Sequence, residues 1–284
     1  MEYNQEIVKR ICDTLVSAGS TFLSDKKQAY SLAIGKETNE HARWVLQTVL
    51  QNAEVAEKNR CPLCDDTGIP HVLVEVGPDA VFTGNTIESI KEGIRQGLRK
   101  LPGRPMAVKG DDAQRISQSE GLYEDSGMLD PAPILIRSTE ENVLKVHILM
   151  FGGGPAIRAH THRVFHQHKV DTVISQIVDW AKESTAQLGC TPSTLAVGVG
   201  RSHYEATAMM LQALVDGSYE RQSEMEQEIT RRVNESHVGA LGLGGDTTVL
   251  ATFMKVGPQR ASGVRIVCVR PCCCFEPRIA SCVF

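Results

Sequence analysis

The stretch 64–68 reads Cys-Asp-Asp-Thr-Gly, and it is the first of three separated segments in which cysteine lies close to glycine or proline. The second, 188–192, reads Leu-Gly-Cys-Thr-Pro, and the third, 270–278, reads Arg-Pro-Cys-Cys-Cys-Phe-Glu-Pro-Arg. Three thiolates from three loops can hold a cubane iron–sulfur cluster while one iron keeps no protein ligand. Such an iron can bind a hydroxyl and a carboxylate of a substrate as a Lewis acid. The pattern therefore indicates a catalytic cluster, whereas four cysteines would be more typical of a closed electron carrier.

The chain contains nine cysteines in 284 residues, a high and odd number. No regular disulfide framework is visible, so metal binding or catalysis is favoured over disulfide cross-links. Cys61 and Cys64 also form a Cys-x-x-Cys pair, but a zinc site would need a second pair at similar spacing, which the sequence lacks. Cys12 and Cys268 lie in apolar patterns that are typical of buried core cysteines.

Composition limits the classes of function. The net charge is −4 with both signs dispersed, so nucleic acid is not an expected partner. The N-terminal sequence is polar and acidic, and no apolar run approaches the roughly 20 residues that span a bilayer. We therefore expect a soluble, cytoplasmic protein with no membrane partner.

Hydrophobic periodicity predicts a helical N-terminal region followed by a mixed sheet with flanking helices, which is an α+β or mixed α/β fold. Residues 3–58 have a helical pattern, with Thr38 as the N-cap of a later helix. Apolar or alternating runs predict strands at 71–76, 133–137, 143–151, 194–199, 247–256 and 264–269. The second and third of these are predicted to be buried. Each candidate ligand lies on a loop at the end of an element.

Four histidines occur close together, at positions 160, 162, 166 and 168. Arg158, Arg163 and Lys169 are interleaved with them and would repel a metal cation. We therefore interpret these histidines as solvated or substrate-neighbouring residues rather than metal ligands.

Around the cysteine segments the chain resembles the α subunit of the iron–sulfur hydro-lyases, the group of class I fumarases and L-tartrate dehydratases. The stretch 64–68 resembles that family's Cys-Gln-Asp-Thr-Gly turn, and the three glycines at 152–154 resemble its Gly-Gly-Gly-Ser segment. The stretch 189–192, followed by Gly-Val-Gly at 198–200, resembles its second cysteine loop. The stretch 240–250, Ala-Leu-Gly-Leu-Gly-Gly-Asp-Thr-Thr-Val-Leu, resembles a further glycine-rich signature. These motifs occur in the family's order along the chain.

The resemblance implies a single α-type catalytic domain over residues 1–284, with a helical lead-in at 1–58 and a cluster-binding part at 59–284. Its activity would be the reversible dehydration of a 2-hydroxy dicarboxylic acid, with fumarate/malate and tartrate/oxaloacetate as the leading pairs. In single-chain relatives a C-terminal domain completes the active site, so the resemblance implies a separate β subunit and an α2β2-type oligomer. The alternative is a non-catalytic metal-binding or assembly protein in which the cysteines are structural.

The resemblance also implies the cofactor, a [4Fe-4S] cluster with one iron that lacks a protein ligand. Cys64 and Cys190 correspond to the first two ligands. In the family an arginine follows the third ligand by four positions, and Cys274 with Arg278 satisfies that spacing. Of the two neighbouring cysteines, Cys272 is the substitute candidate for the third ligand. Cys273 is expected to face away from the cluster, because side chains alternate in direction along an extended chain.

Further residues are implied to contact the substrate. Asp66, two residues after a cluster ligand, would exchange a proton with the substrate. Arg104 would bind a substrate carboxylate, with Arg99 as the alternative. Asp65 stands where the family has a glutamine that contacts substrate. Gly153 and Gly154 suit close approach of backbone to anionic groups, because glycine has no Cβ. The alternative role for either aspartate is to cap its own turn.

Overall fold

The computed structural model describes residues 2–284, which divide into two compact units. Unit 1 contains the residues through Thr21, together with Ala53–Gly152 and Arg278–Phe284, and unit 2 contains Phe22–Asn52 and Gly153–Pro277. Each unit is built on one four-stranded sheet that has both parallel and antiparallel pairs. The predicted fold class, a helical N-terminal region followed by mixed sheet with flanking helices, is confirmed.

The helices are α1 (Gln5–Ser20), α2 (Ser24–Lys36), α3 (Glu40–Asn59), α4 (Gly84–Lys100), α5 (Asp112–Ser117), α6 (Gly153–Ala156), α7 (Val170–Leu188), α8 (His203–Asp216) and α9 (Glu224–Asn234). The strands are β1 (Ile69–Val76), β2 (Leu135–Ser138), β3 (Leu144–Phe151), β4 (His160–Phe165), β5 (Ser193–Gly200), β6 (Val249–Val256), β7 (Val264–Pro271) and β8 (Ile279–Val283). Within residues 2–284, none of the helices combines the length and the apolar composition that a membrane crossing requires.

The sheet of unit 1 has the strand order β2-β1-β3-β8. Helices α1 and α4 pack against one of its faces, and their buried side chains join those of the strands in one core that includes Ile11, Leu15, Ile94 and Val146. The two helices approach closely at Gly93, where a Cβ would lie 2.6 Å from the Cβ of Ile11. Glycine at this position therefore sets the distance between α1 and α4.

Strand β2 corrects one expectation. The run 133–137 was expected to form a buried strand, but β2 lies at the edge of its sheet and pairs only with β1. Its residues alternate between half-buried and exposed, and Ile136 is 50% exposed. The expectation of burial is wrong because apolar composition alone does not distinguish an edge strand from a central one.

The sheet of unit 2 has the strand order β4-β7-β5-β6. Helices α7 and α9 contribute buried side chains, among them Ile177, Val178 and Val233, to a core shared with β5, β6 and β7. Helix α8 packs against β5, where a Cβ on Gly198 would lie 2.0 Å from the carbonyl oxygen of Ala206. Gly198 lies inside β5 and is required by this helix packing, rather than by a turn or a bound group.

The beginning of α3 differs from the expectation for its cap. The N-H groups of His41 and Ala42 donate to Asn39 Oδ1, at 3.0 and 3.1 Å, so Asn39 provides the capping side chain. Thr38, the expected N-cap, instead donates its hydroxyl to Asp246 Oδ2 at 2.7 Å. The prediction of Thr38 is therefore wrong by one residue, because asparagine and threonine are both favourable caps and the sequence does not choose between adjacent ones.

Candidate functional site

The first cysteine segment forms a turn in unit 1 between the end of α3 and the beginning of β1. The Leu63 N–H donates to the carbonyl of Gly19 at the end of α1 (3.0 Å), which attaches the start of the turn to that helix. The Cys64 thiol is half-buried and donates to Asp65 Oδ1 at 3.3 Å. This bond, together with one from the Asp66 amide, lowers the pKa of Asp65.

A buried arginine holds the other end of this turn. The Arg278 guanidinium donates to the carbonyl of Asp66 at 2.6 Å and to the carbonyl of Met150 at 3.2 Å. Gly68 has φ +87°, and a Cβ there would lie 2.6 Å from Arg278 Nη2 and 2.9 Å from the carbonyl oxygen of Phe151. Only glycine fits at this position. The hydrogen bond from Arg278 to the Asp66 carbonyl fixes the backbone from which the Asp66 carboxylate extends.

Arg104 lies next to the same turn. Its backbone N–H donates to Thr67 Oγ1 at 2.8 Å, and Thr67 is buried. Its guanidinium is 56% exposed and lies 3.5 Å from Asp65 Oδ2. Arg99, the alternative to Arg104, makes a two-point ion pair with Asp125 at 2.7 and 2.9 Å. Unit 1 therefore brings a cysteine thiol, a carboxylate and an exposed guanidinium together on one turn.

In unit 2 the second and third cysteine segments are adjacent. Cys190 lies between Gly189, which ends α7 with φ +77°, and the residues that lead into β5. The backbone N–H of Cys274 donates to the carbonyl of Cys190 at 2.8 Å. The thiol of Cys273 forms a hydrogen bond with that of Cys274, and this bond, with burial and the nearby Cys190, raises the pKa of Cys274 well above its usual range. Cys190, Cys273 and Cys274 are thus close to one another in unit 2.

Cys272 has a different environment from its two neighbours. Strand β7 ends at Pro271, and the chain then turns, with the Glu276 N–H donating to the Cys273 carbonyl at 2.9 Å. The Cys272 sulfur accepts a hydrogen bond from Arg270 Nη1 at 3.1 Å, and Arg270 pairs with Glu276 at 2.5 Å, with both side chains buried. The three cysteines therefore lie in a turn after β7, and their side chains do not follow the alternating directions of a strand.

Helix α2 supports the third segment through residues that sequence reasoning did not select. The buried ammonium of Lys26 donates to the carbonyl of Glu276 at 2.8 Å, and the buried hydroxyl of Tyr30 donates to the carbonyl of Cys274 at 2.7 Å. Burial lowers the pKa of Lys26 to about 8. The only signal in the sequence would be the i, i+4 spacing of Lys26 and Tyr30, which places both side chains on one face of α2.

The glycine-rich segment near residue 240 positions the Cys190 loop. The Thr191 hydroxyl donates to the carbonyl of Gly239 at 2.5 Å, and the Leu241 N–H donates to the carbonyl of Thr191 at 3.1 Å. At the other end of the segment, Gly245 packs against the buried carboxylate of Glu37. A Cβ on Gly245 would lie only 2.7 Å from Glu37 Oε1. These contacts give the segment a structural role beside the candidate ligand.

The triple glycine lies where β3 ends and α6 begins. A Cβ on Gly154 would meet no atom within 4 Å, so packing does not require glycine there. Its carbonyl accepts a hydrogen bond from Arg158 Nη1 at 3.0 Å. The space beside Gly154 can therefore receive a group from outside the chain.

The donor set fits an iron–sulfur cluster, because thiolates are the usual protein ligands of such clusters and all the candidate ligands are cysteines on loops. Cys64 belongs to unit 1, and Cys190 and Cys274 belong to unit 2. No disulfide joins any cysteine within residues 2–284. Over the same residues, no group of three His, Cys, Asp or Glu side chains has the geometry to hold a single metal ion.

The known proteins that this chain resembles are named as fumarate hydratases or tartrate dehydratases. The family model Fumerase, described as fumarate hydratase (Fumerase), matches residues 8–282. A protein of Methanocaldococcus jannaschii, provisionally named L(+)-tartrate dehydratase subunit alpha, is 26% identical over 268 residues, which are 90% of each chain. The L(+)-tartrate dehydratase subunit alpha of Escherichia coli strain K12 is 21% identical over 83% of this chain and 77% of its own length. A protein of Geobacillus stearothermophilus, provisionally named fumarate hydratase class I, is 23% identical, and the match covers 89% of this chain but only 50% of that protein.

The family match extends over nearly the whole chain and includes all three cysteine segments. The chain therefore belongs to the fumarate hydratase (Fumerase) family and is a hydro-lyase of that type.

Proposed function

We propose that this chain is the α subunit of an iron–sulfur-dependent hydro-lyase that interconverts a 2-hydroxy dicarboxylic acid and its dehydrated product. The whole chain, 1–284, acts as one α-type catalytic domain, with the lead-in 1–58 and the cluster-binding part 59–284. The observation that carries the proposal is the backbone hydrogen bond between Cys274 and Cys190, within a chain that matches the family model over residues 8–282. This bond joins two of the three cysteine segments selected from the sequence.

The cofactor in this proposal is a [4Fe-4S] cluster bound by Cys64, Cys190 and Cys274, with one iron lacking a protein ligand. When bound, the cluster supplies a Lewis-acidic iron for the hydroxyl and carboxylate of the substrate. Cys274 is favoured as the third ligand because its own backbone N–H donates to the carbonyl of Cys190, whereas the Cys272 sulfur accepts from Arg270. The thiol of Cys273 contacts that of Cys274 and could replace it as a ligand.

The residues of the first turn perform the steps that the chain itself contributes. Asp66 exchanges a proton with the substrate, from a backbone that Arg278 holds in place. Arg104 binds a substrate carboxylate through its exposed guanidinium, which has Asp65 as its neighbour. Gly153 and Gly154 offer backbone to the anionic substrate, and the space beside Gly154 is free of side chains.

The partner in this proposal is a separate β subunit, in an α2β2-type assembly. Two of the relatives are named as alpha subunits, and the Geobacillus protein is about twice the length that this chain matches. The leading substrate pairs are fumarate/malate and tartrate/oxaloacetate, since the relatives are named for fumarate and tartrate. The cytoplasm is the proposed location, because it keeps thiols reduced.

The proposal is tested by purifying the chain anaerobically with its β subunit and assaying fumarate, malate and the three stereoisomers of tartrate. We expect turnover of at least one of these acids that depends on both subunits and on iron. A brown, iron-loaded assembly with no turnover of any hydroxy dicarboxylic acid would favour the non-catalytic alternative. A colourless zinc protein would contradict the cofactor as well.

Replacing Arg104 with methionine should raise the KM for the substrate by roughly 10- to 100-fold with little change in iron content. The size follows from losing hydrogen bonds to a charged group, which contribute about 1.5–3 kcal/mol. Steady-state kinetics of the assembled enzyme measure the effect. Arg99→Met is the matched control, since that arginine is engaged with Asp125. Equal KM values for both variants would show that Arg104 does not bind the substrate.

A further inference from the structure

Unit 2 contains a groove at the end of its sheet where α7 and α9 begin. Its volume is about 420 Å³, which lies within the range of roughly 300–1,000 Å³ typical of small-molecule sites. The apolar part of its wall is formed by Val173, Ile174, Val199, Met225, Met254 and Val256. Two of these are exposed to solvent, Val256 at 49% and Met225 at 42%. The groove therefore presents a concave apolar surface to water.

The groove and the candidate cluster ligands of unit 2 lie at opposite ends of β5. Cys190 lies just before Ser193, where β5 begins, whereas Val199 is near the end of the same strand. A rise of about 3.3 Å per residue separates the two ends of β5 by roughly 20 Å. The groove is therefore a separate site from the cysteine segments.

The polar residues of the groove are basic or neutral. They are His166, His168, Lys169, Gln259 and Arg265, and the lining residues within 2–284 include no aspartate or glutamate. The ammonium of Lys169 forms no ion pair with any described residue, and no side chain caps the first turn of α7 that follows it. The first amides of an uncapped helix add partial positive charge at this rim.

Two acidic residues on the elements that line the groove have other partners. Glu226 accepts hydrogen bonds from the N–H of Met254 at 2.7 Å and from the hydroxyl of Ser223 at 2.8 Å. Asp171 pairs with Arg232 at 3.2 Å. Neither carboxylate forms an ion pair with Lys169 or Arg265, the two cations of the groove.

The basic rim is held in a defined conformation by the loop between β4 and α7. His166 Nε2 lies 2.7 Å from the carbonyl of Ser262, and His166 Nδ1 accepts from the N–H of His168 at 3.0 Å. Gln167 and His168 both have positive φ, of 48° and 56°. The Lys169 N–H closes the loop by donating to the His166 carbonyl at 2.8 Å. The loop therefore presents its cationic side chain from a fixed backbone.

We propose that this groove binds a small amphiphilic carboxylate, with its aliphatic chain against the apolar wall and its carboxylate between Lys169 and Arg265. The charge of the rim selects an anion, and the apolar wall selects a ligand with a hydrocarbon body. The volume is that of a small-molecule site rather than of a peptide-binding surface. Nothing in this site takes part in the proposed dehydration.

The test is titration of the purified full-length chain with decanoate, followed by calorimetry, with decan-1-ol and butyrate as the matched probes. We expect saturable, one-to-one binding of decanoate, and binding at least tenfold weaker for the alcohol, which lacks the charge, and for the acid with the short chain. Lys169→Met and Arg265→Met should each weaken decanoate binding about tenfold, while leaving the affinity for decan-1-ol unchanged.

The control is Arg221→Met, which removes an exposed cation of unit 2 outside the groove. It should bind decanoate like the unmodified chain. Equal affinities for decanoate and decan-1-ol would overturn the proposal, as would decanoate binding that survives both the Lys169 and Arg265 substitutions. Absence of saturable decanoate binding would overturn it as well.

Discussion

Cys64→Ser and Cys190→Ser should each abolish cluster binding in the anaerobically purified protein. Each substitution would leave a cubane with two protein thiolates, which retain it poorly. The measurement is iron and sulfide per chain, together with visible absorption. The two residues lie in different units, so the same loss in both variants would show that one cluster depends on both segments.

The matched control for this experiment is Cys12→Ser. Cys12 is buried in α1 of unit 1 and belongs to none of the three cysteine segments. It should leave the iron content intact, at some cost in stability from placing a hydroxyl in the core. Equal iron content in all three variants would contradict the ligand assignment.

Asp66→Asn should keep the cluster spectrum and lower the turnover of the assembled α/β enzyme by roughly 10²-fold or more. The amide keeps the shape of the side chain but cannot exchange the proton, and a positioned proton donor or acceptor contributes on this scale. The backbone carbonyl of Asp66 would still accept from Arg278, so the turn should persist. The measurement is kcat with the best substrate, normalised to iron.

Asp112→Asn provides the control, since Asp112 is an exposed residue in the first turn of α5. It should have near-normal turnover. If Asp66→Asn also has near-normal turnover with a full complement of iron, then Asp66 only caps its turn and another residue transfers the proton.

The sequence predicted the parts of the fold that rest on local patterns. The apolar run 143–151 predicted β3, because a short continuous apolar run is typical of a buried strand, and nearly every residue of β3 is buried. The burial of β2 was not predictable, since its place at the edge of the sheet depends on how many strands pair beside it. The cap of α3 was missed by one residue because both candidates are good caps.

In the candidate site, too, the local turns were predictable from the sequence and the contacts between distant residues were not. The cysteine turns could be located because cysteine, glycine and proline occur together in short stretches. The contacts of Lys26 and Tyr30 with carbonyl groups of the third segment were not predictable, because no local pattern links residues so far apart in the chain. Gly198 was interpreted as part of the motif of the second cysteine loop, but glycine is required there because α8 packs closely against β5.

The central claim is that Cys64, Cys190 and Cys274 hold a [4Fe-4S] cluster in which one iron is open to substrate. Mössbauer spectroscopy of the anaerobic α/β protein loaded with ⁵⁷Fe, recorded with and without the substrate, tests it most directly. The account predicts four iron sites, of which a single one changes its isomer shift and quadrupole splitting when the hydroxy acid binds. Four sites that all remain unchanged at saturating substrate would contradict the account, because every iron would then be closed to the substrate.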